Sequence, residues 1–139
     1  MITLDQANSI IAAAFAKGAE LKLKPLSVAV LDAGGHAIAF QRQDGSSTLR
    51  FAIAAGKAGG ALALGMSSRR IADMAAERPS FVAAINGVSP QGIIPAAGGI
   101  IIVDGDSRPI GAVGVTGDTS DNDELCALAG IAAAGLRAA

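Results

Sequence analysis

The sequence predicts an α/β fold of the α+β type, in which helices pack on an antiparallel sheet. Two segments have the pattern of β-hairpins, and helical patterns precede, separate and follow them in the order α-ββ-ααα-ββ-α. Hairpins pair their strands antiparallel, whereas a doubly wound parallel sheet needs strands that alternate with helices. The 139 residues suit a single domain over 1–139 with one core.

The first helix is predicted over residues 3–22. Thr3 and Gln6 have the spacing of a capping box, and small or apolar residues recur behind them at helical spacing. Pro25 ends any continuation of this helix, because proline lacks the backbone N–H that a helix interior needs.

A first hairpin is predicted from Leu26–Asp32 and His36–Arg42. The Ala33-Gly34-Gly35 segment between them is typical of a hairpin connection. Asp44 and Gly45 then turn the chain towards the second helix.

The second helix, predicted over 48–65, contains Gly56, Gly59 and Gly60. A serine or threonine of segment 46–48 is expected to cap it. Each glycine costs about 1 kcal/mol relative to alanine in a helix. We therefore expect another part of the chain to approach this helix closely.

Two short helices are predicted next, over 69–76 and 79–86. Ser67 or Ser68 is placed to cap the first, and Pro79 suits the first position of the second. A second hairpin follows, with strands Gly98–Val103 and Pro109–Thr116 joined by an Asp-Gly-Asp turn.

The last helix is predicted over 120–137, with Ser120 as its cap. Acidic residues, including Asp123, lie in its first turn and Arg137 lies in its last, as the helix dipole favours.

The composition predicts a homo-oligomer. Hydrophobic residues make up 51 % of the chain and charged residues 17 %, with a formal net charge of −1 and a mean hydropathy of +0.48. A small soluble monomer exposes too much surface to be this apolar. A membrane-spanning helix needs about 20 consecutive apolar residues, and the apolar run Gly92–Val103 is shorter. Burial against another subunit is therefore the better explanation.

Two further classes are disfavoured by composition. The segment Met1–Gln6 has neither the basic nor the apolar region of a secretory signal, so a cytoplasmic location is expected. The chain has no basic run, no tyrosine and no tryptophan, which disfavours nucleic-acid binding.

Glycines mark one candidate site. Gly111, Gly114 and Gly117 leave a strand and enter a helix, but their spacing is not that of a dinucleotide-binding loop, so no nucleotide cofactor is expected. Glycines in strands mark places where a ligand or another backbone comes close. Ligand binding and packing both remain open for Gly111, Gly114 and Gly117. If a ligand binds there, Gly98, Gly99 and Gly117 are the glycines expected to line its site.

Charged residues mark a second candidate site. Asp118 and Asp123 flank the start of the last helix, where carboxylates can act as acid and base or simply cap the helix. Lys57 interrupts an apolar helix and needs either a partner or access to solvent. Arg42 and Asp44, at the end of the second strand, can pair with each other or meet an anionic substrate.

His36 is the only histidine in the chain. Beside a hairpin turn it can be a haem-iron ligand or a general base, and it can equally be a solvated residue at the end of a strand.

Several of these residues also carry a family resemblance. The resemblance covers nearly the whole chain through the segments Val30–Gly45, Ala54–Ala58, Ala97–Val103, Pro109–Gly117 and Ser120–Glu124. These segments resemble the GlcG/HbpS-like family, also called the haem-degrading or PduO C-terminal-like domain. The resemblance implies a five-stranded antiparallel sheet and assembly into tetramers or octamers. It also implies haem or another tetrapyrrole as ligand, and His36 or a methionine is then the candidate iron ligand.

The family motifs also carry over to particular positions. These positions are Arg42, Asp44, Lys57, Gly98, Gly99, Gly117 and Asp123. Two functions follow as hypotheses: a haem-binding protein of haem handling or redox sensing, and a cofactor-independent isomerase, hydratase or lyase of organic-acid catabolism. The second would use Lys57, Asp118 and Asp123 as catalytic residues.

Overall fold

The computed structural model describes all 139 residues and confirms the predicted fold class. The helices are α1 (Leu4–Glu20), α2 (Arg50–Leu64), α3 (Ser68–Glu77), α4 (Pro79–Asn86) and α5 (Ser120–Ala133). The strands are β1 (Ser27–Asp32), β2 (Ala37–Arg42), β3 (Gly99–Val103), β4 (Pro109–Thr116) and β5 (Arg137–Ala138).

The five strands form one antiparallel sheet in the order β2-β1-β4-β3-β5. The two predicted hairpins, β1–β2 and β3–β4, meet where β1 pairs with β4, from Ser27 opposite Thr116 to Asp32 opposite Gly111. This junction places β1 and β4 inside the sheet and leaves β2 as an edge strand. Both hairpins form as the sequence predicts.

Helices cover both faces of the sheet. On one face, α1 and α5 pack on residues that alternate along the central strands, among them Val28, Val30, Val113 and Val115. On the other face, α2 packs on the intervening residues, such as Leu31 and Ala112. The period-two alternation of strands therefore divides the core into two apolar layers. No helix combines the length and apolarity needed to cross a membrane.

The predicted boundary of the last helix is wrong at its C-terminal end. Helix α5 ends at Ala133, and Gly135, with φ of +72°, turns the chain. Arg137 therefore lies in β5, which pairs with β3, rather than in a last helical turn. The helical pattern continues locally, but the unpaired edge of β3 offers backbone hydrogen bonds that only the folded sheet creates.

Two predicted caps also differ from the structure. The Thr119 hydroxyl, not that of Ser120, accepts the capping hydrogen bond in α5, from the Asn122 N–H. Helix α2 begins after Leu49 and has no side-chain cap at all, although segment 46–48 offers three hydroxyls. An uncapped helix start leaves backbone N–H groups available to other acceptors.

The close approach expected for the glycine-rich helix is confirmed on both of its sides. On the sheet side, a Cβ built on Gly114 would collide with the Ala54 carbonyl oxygen. On the opposite side, a Cβ on Gly60 would lie 3.3 Å from the Cα atom of Ile93. The glycines let α2 pack between the sheet and the segment that follows α4.

We expect Gly114→Ala to lower the free energy of unfolding by about 1–3 kcal/mol or more, because the new methyl group meets backbone that cannot move aside. Gly105→Ala is the matched control, since nothing lies within 4 Å of a Cβ at that turn position. Urea denaturation of both variants measures the difference. Equal stabilities would contradict the packing described here.

Candidate functional site

Lys57 and Asp123 form an ion pair inside the protein. The Lys57 Nζ atom lies 3.1 Å from Asp123 Oδ2 and donates a 2.9 Å hydrogen bond to the Val115 carbonyl oxygen. The two residues are 2 % and 1 % exposed. Lys57 belongs to α2 on one face of the sheet, and Asp123 belongs to α5 on the other. The pair therefore connects the two helical layers.

Burial determines the electrostatics of this pair. It lowers the pKa of Lys57 below the ordinary value, and the attraction of Asp123 opposes that shift. Asp123 gains a further partner, because its Oδ1 accepts a 2.9 Å hydrogen bond from the Asp118 N–H. Each charge thus has hydrogen-bond partners that offset the loss of solvent. Neither side chain is exposed to a ligand in solution.

Asp118 organises the turn before α5. Its carboxylate accepts hydrogen bonds from the Asn122 side chain at 2.8 Å, the Thr119 N–H at 2.8 Å and the Lys24 N–H at 3.1 Å. These hydrogen bonds lower the pKa of Asp118 to about 2, and the bond from Asn122 contributes most. A carboxylate this acidic is a weak general base at neutral pH. The contacts favour a structural role.

The three glycines proposed to line a site are surrounded by protein. A Cβ on Gly98 would lie 3.0 Å from Lys57 Nζ, and one on Gly99 would lie 2.9 Å from the Ser68 hydroxyl. A Cβ on Gly117, where φ is +147°, would collide with the Pro25 carbonyl oxygen. These contacts favour close packing over ligand binding. At Gly98, the Lys57 side chain lies next to the space that a Cβ atom would need.

Arg42 and Asp44 lie on the wall of an open cleft of about 630 Å³ between the end of α1 and the end of β2. They form no ion pair with each other. Lys24 and Phe15 line the same cleft. Two cations and one carboxylate at an open surface can bind a small anion weakly.

His36 lies at the opposite end of β2. Arg42 is six positions further along the chain, which is about 20 Å at about 3.3 Å per residue. Its side chain is 79 % exposed, and its Nδ1 atom is 3.3 Å from Asp32 Oδ1. The hydrogen bond from the His36 backbone N–H is the main cause that lowers the pKa of Asp32. The predicted site residues thus fall into three separate places.

An apolar groove of about 440 Å³ runs beside His36. Side chains of the strands, of α2 and of the loop after α4 form its apolar wall: Leu31, Ala37, Phe51, Ala52, Ala55 and Pro90. Gln91 closes the groove at one side, where its Nε2 atom donates a 2.7 Å hydrogen bond to the Gly35 carbonyl oxygen. The sequence does not indicate this role of Gln91, because its turn-rich segment gives no sign of which residue it contacts.

No group of three or more histidine, cysteine, aspartate or glutamate side chains is arranged to hold a metal ion. The exposed imidazole of His36 borders the apolar groove and also a second pocket of about 330 Å³, which Met1, Pro109 and Ile110 line.

Known proteins match this chain in sequence. A family model described as "Haem degrading protein HbpS-like" matches residues 2–132. An uncharacterized 15.0 kDa protein from the dhaT-dhaS intergenic region of Citrobacter freundii is 32 % identical over 127 residues, which are 91 % of this chain and 87 % of that protein.

Solved structures match the fold. Protein ORFY of Klebsiella pneumoniae superposes with a TM-score of 0.85 at 29 % identity, over 96 % of this chain and 90 % of that one. The structure of a PduOC–haem complex superposes with a TM-score of 0.84 at 20 % identity, over 96 % of this chain and 94 % of that one. Because the identity to the PduOC–haem complex is only 20 %, that likeness shows the fold alone.

We expect Lys57→Met to lower the free energy of unfolding by about 3–5 kcal/mol, because it leaves the Asp123 carboxylate buried without its cation. The control Lys17→Met removes the partner of Glu20, a pair at the surface, and we expect it to change stability by less than about 1 kcal/mol. Urea denaturation compares the two. A similar effect of both variants would contradict the role given to the buried pair.

Proposed function

The chain belongs to the HbpS-like family of haem-degrading proteins, and from this premise we propose that it binds haem and takes part in haem handling. Family membership over residues 2–132 is the observation that carries the proposal. It agrees with the resemblance that the sequence motifs indicate. A relative of the same fold forms a complex with haem, which supports the proposal without assigning a binding site in this chain.

The surroundings of His36 fit a haem group. Haem needs an axial ligand for its iron and an apolar wall for the porphyrin. The Nδ1 atom of His36 faces Asp32 at 3.3 Å, which leaves Nε2 free to bind. A carboxylate on the far nitrogen orients a ligating imidazole and makes it more basic. The groove of about 440 Å³ is within the usual range of ligand pockets, about 300–1,000 Å³.

Residues of the groove and of the pocket next to it have distinct roles in the proposal. His36, which lines both, would bind the iron, and Asp32 of the neighbouring pocket would orient the imidazole. Phe51 and Leu31 of the groove would keep water from the ring. When bound, haem supplies redox chemistry at its iron. The side chain of His36 is exposed and would be reached from solvent.

The geometry offers less support for the alternative, a cofactor-independent enzyme acting on an organic acid. Arg42 and Asp44, its anion-binding residues, line the open cleft at the end of β2. Its proposed catalytic residues, Lys57, Asp118 and Asp123, do not line that cleft. A substrate bound by Arg42 in this cleft would therefore not contact the three proposed catalytic residues.

We also propose that the chain forms a homo-oligomer, such as a tetramer or an octamer. Large apolar side chains are exposed at several places: Leu49 at 62 %, Phe51 at 48 %, Val88 at 82 % and Leu125 at 47 %. Together with a hydrophobic content of 51 %, these side chains support association, because a small monomer exposes too much surface to be this apolar. The cytoplasmic location stays a prediction from sequence.

Light scattering on a sizing column, at micromolar protein, is expected to give a molar mass that is a multiple of 13.6 kDa. A single protomer at that concentration would contradict the proposed assembly.

Titration with haem is expected to shift the Soret band on binding, and His36→Ala is expected to abolish or strongly weaken that shift because it removes the iron ligand. Arg42→Gln is the matched control, because Arg42 lies about 20 Å away along the same strand. No Soret shift in the wild type would end the proposal of haem binding. A shift lost in Arg42→Gln and retained in His36→Ala would place the haem in the cleft of Arg42 and Asp44 instead.

A further inference from the structure

The first residue of α2 is a cation without an anionic partner. Arg50 is half-buried, and its Nη1 atom donates a 2.8 Å hydrogen bond to the Thr116 hydroxyl. No carboxylate lies within ion-pair distance of its guanidinium, and the first turn of α2 holds no acidic residue. A guanidinium carries five N–H donors, so most of the binding capacity of Arg50 is unused within the chain.

The backbone around Arg50 is also available to an anion. Leu49 precedes the helix and supplies no capping oxygen. The N–H groups of Phe51 and Ala52 donate neither to the loop before α2 nor to a capping side chain. The start of a helix attracts negative charge through such free N–H groups and through the helix dipole.

Ser27 gives an independent indication of a ligand. It is fully buried, and its hydroxyl has no hydrogen-bond partner in the protein. Ser27 pairs with Thr116 across β1 and β4, so the two side chains project side by side from the sheet. They project towards the start of α2, where Thr116 meets Arg50. Buried hydroxyls are rarely left without a partner, because the loss of solvent is then uncompensated.

We propose that this place binds a carboxylate group, between the first turn of α2 and the hydroxyls of Ser27 and Thr116. Arg50 would hold it through its planar fork, with the N–H groups of Phe51 and Ala52 beside it. The site has one uncompensated positive charge, because the nearby Lys57 is already paired with Asp123. One charge matches a carboxylate monoanion better than a phosphate, whose charge at neutral pH is about −1.5 to −2.

Two molecules supply this chemistry. One is a free short-chain organic acid, and the other is a propionate group of haem, since Phe51 and Ala52 also line the groove beside His36. The second source rests on the proposed function, and the first does not.

Calorimetric titration with acetate tests the site without haem. We expect Arg50→Gln to weaken acetate binding about tenfold or more, as the loss of a charged hydrogen bond implies. Arg70→Gln, which changes an exposed arginine of α3 without an ion pair, should leave binding unchanged. Ser27→Ala should weaken acetate binding and raise the Tm of the ligand-free protein, because it removes the unpartnered hydroxyl.

Haem and haem dimethyl ester distinguish the two sources. If a propionate is the ligand, haem binds more tightly than its ester, and only haem is weakened by Arg50→Gln. If a free acid is the ligand, acetate binds equally well to the protein with and without haem. Acetate binding without any Soret shift would remove the proposed haem function and support this site.

Three results would overturn the carboxylate site. The first is that neither acetate nor haem distinguishes Arg50→Gln from Arg70→Gln. The second is that inorganic phosphate binds more tightly than acetate. The third is that Ser27→Ala lowers the Tm of the ligand-free protein, since the hydroxyl would then have a partner inside the fold.

Discussion

Lys57 reaches from the helix on one face of the sheet to Asp123 at the start of the helix on the other, and both charges are shielded from solvent. The path exists because Gly98 has no side chain where the Lys57 amine lies. The desolvation of the pair is offset by the Val115 carbonyl and the Asp118 N–H. Removing either charge would leave the other buried without a partner. The packing of the two helical layers, the glycine at position 98 and the turn before α5 therefore all depend on this ion pair.

This arrangement places the accessible chemistry at the rim of the fold. The residues that look most catalytic in the sequence, Lys57 and Asp123, neutralise each other in the interior. Accessible polar groups remain at the hairpin end beside His36, at the start of α2 beside Arg50, and in the cleft of Arg42. The first two adjoin the same apolar groove, because the first turn of α2 forms part of its wall. The haem-binding role that we propose would use the exposed first turn of α2, while the middle of this helix packs between the sheet and the segment that follows α4.

Local signals made most of the fold predictable, and long-range contacts account for what was missed. Turn residues and capping motifs act over a few positions, so both hairpins and the helix order follow from them. Strand β5 depends on the edge of β3, which exists only after the sheet forms, and the predicted last helix therefore ran too far. The apolar helix around Lys57 indicates that this lysine needs a partner. The sequence does not identify the partner, because Asp123 lies 66 residues away along the chain. Likewise, Arg50 and Gln91 carry no pattern that distinguishes them from surface residues.

Chemical acetylation of the native protein with acetic anhydride, followed by peptide mass spectrometry, tests the central claim most directly. The account predicts that Lys17, Lys22 and Lys24 are modified, whereas Lys57 stays unmodified until the protein unfolds, because its amine is enclosed and bound to Asp123. Modification of Lys57 as fast as that of the other three lysines would show that solvent and reagents reach it, and would contradict its role as a buried connection between the two helical layers.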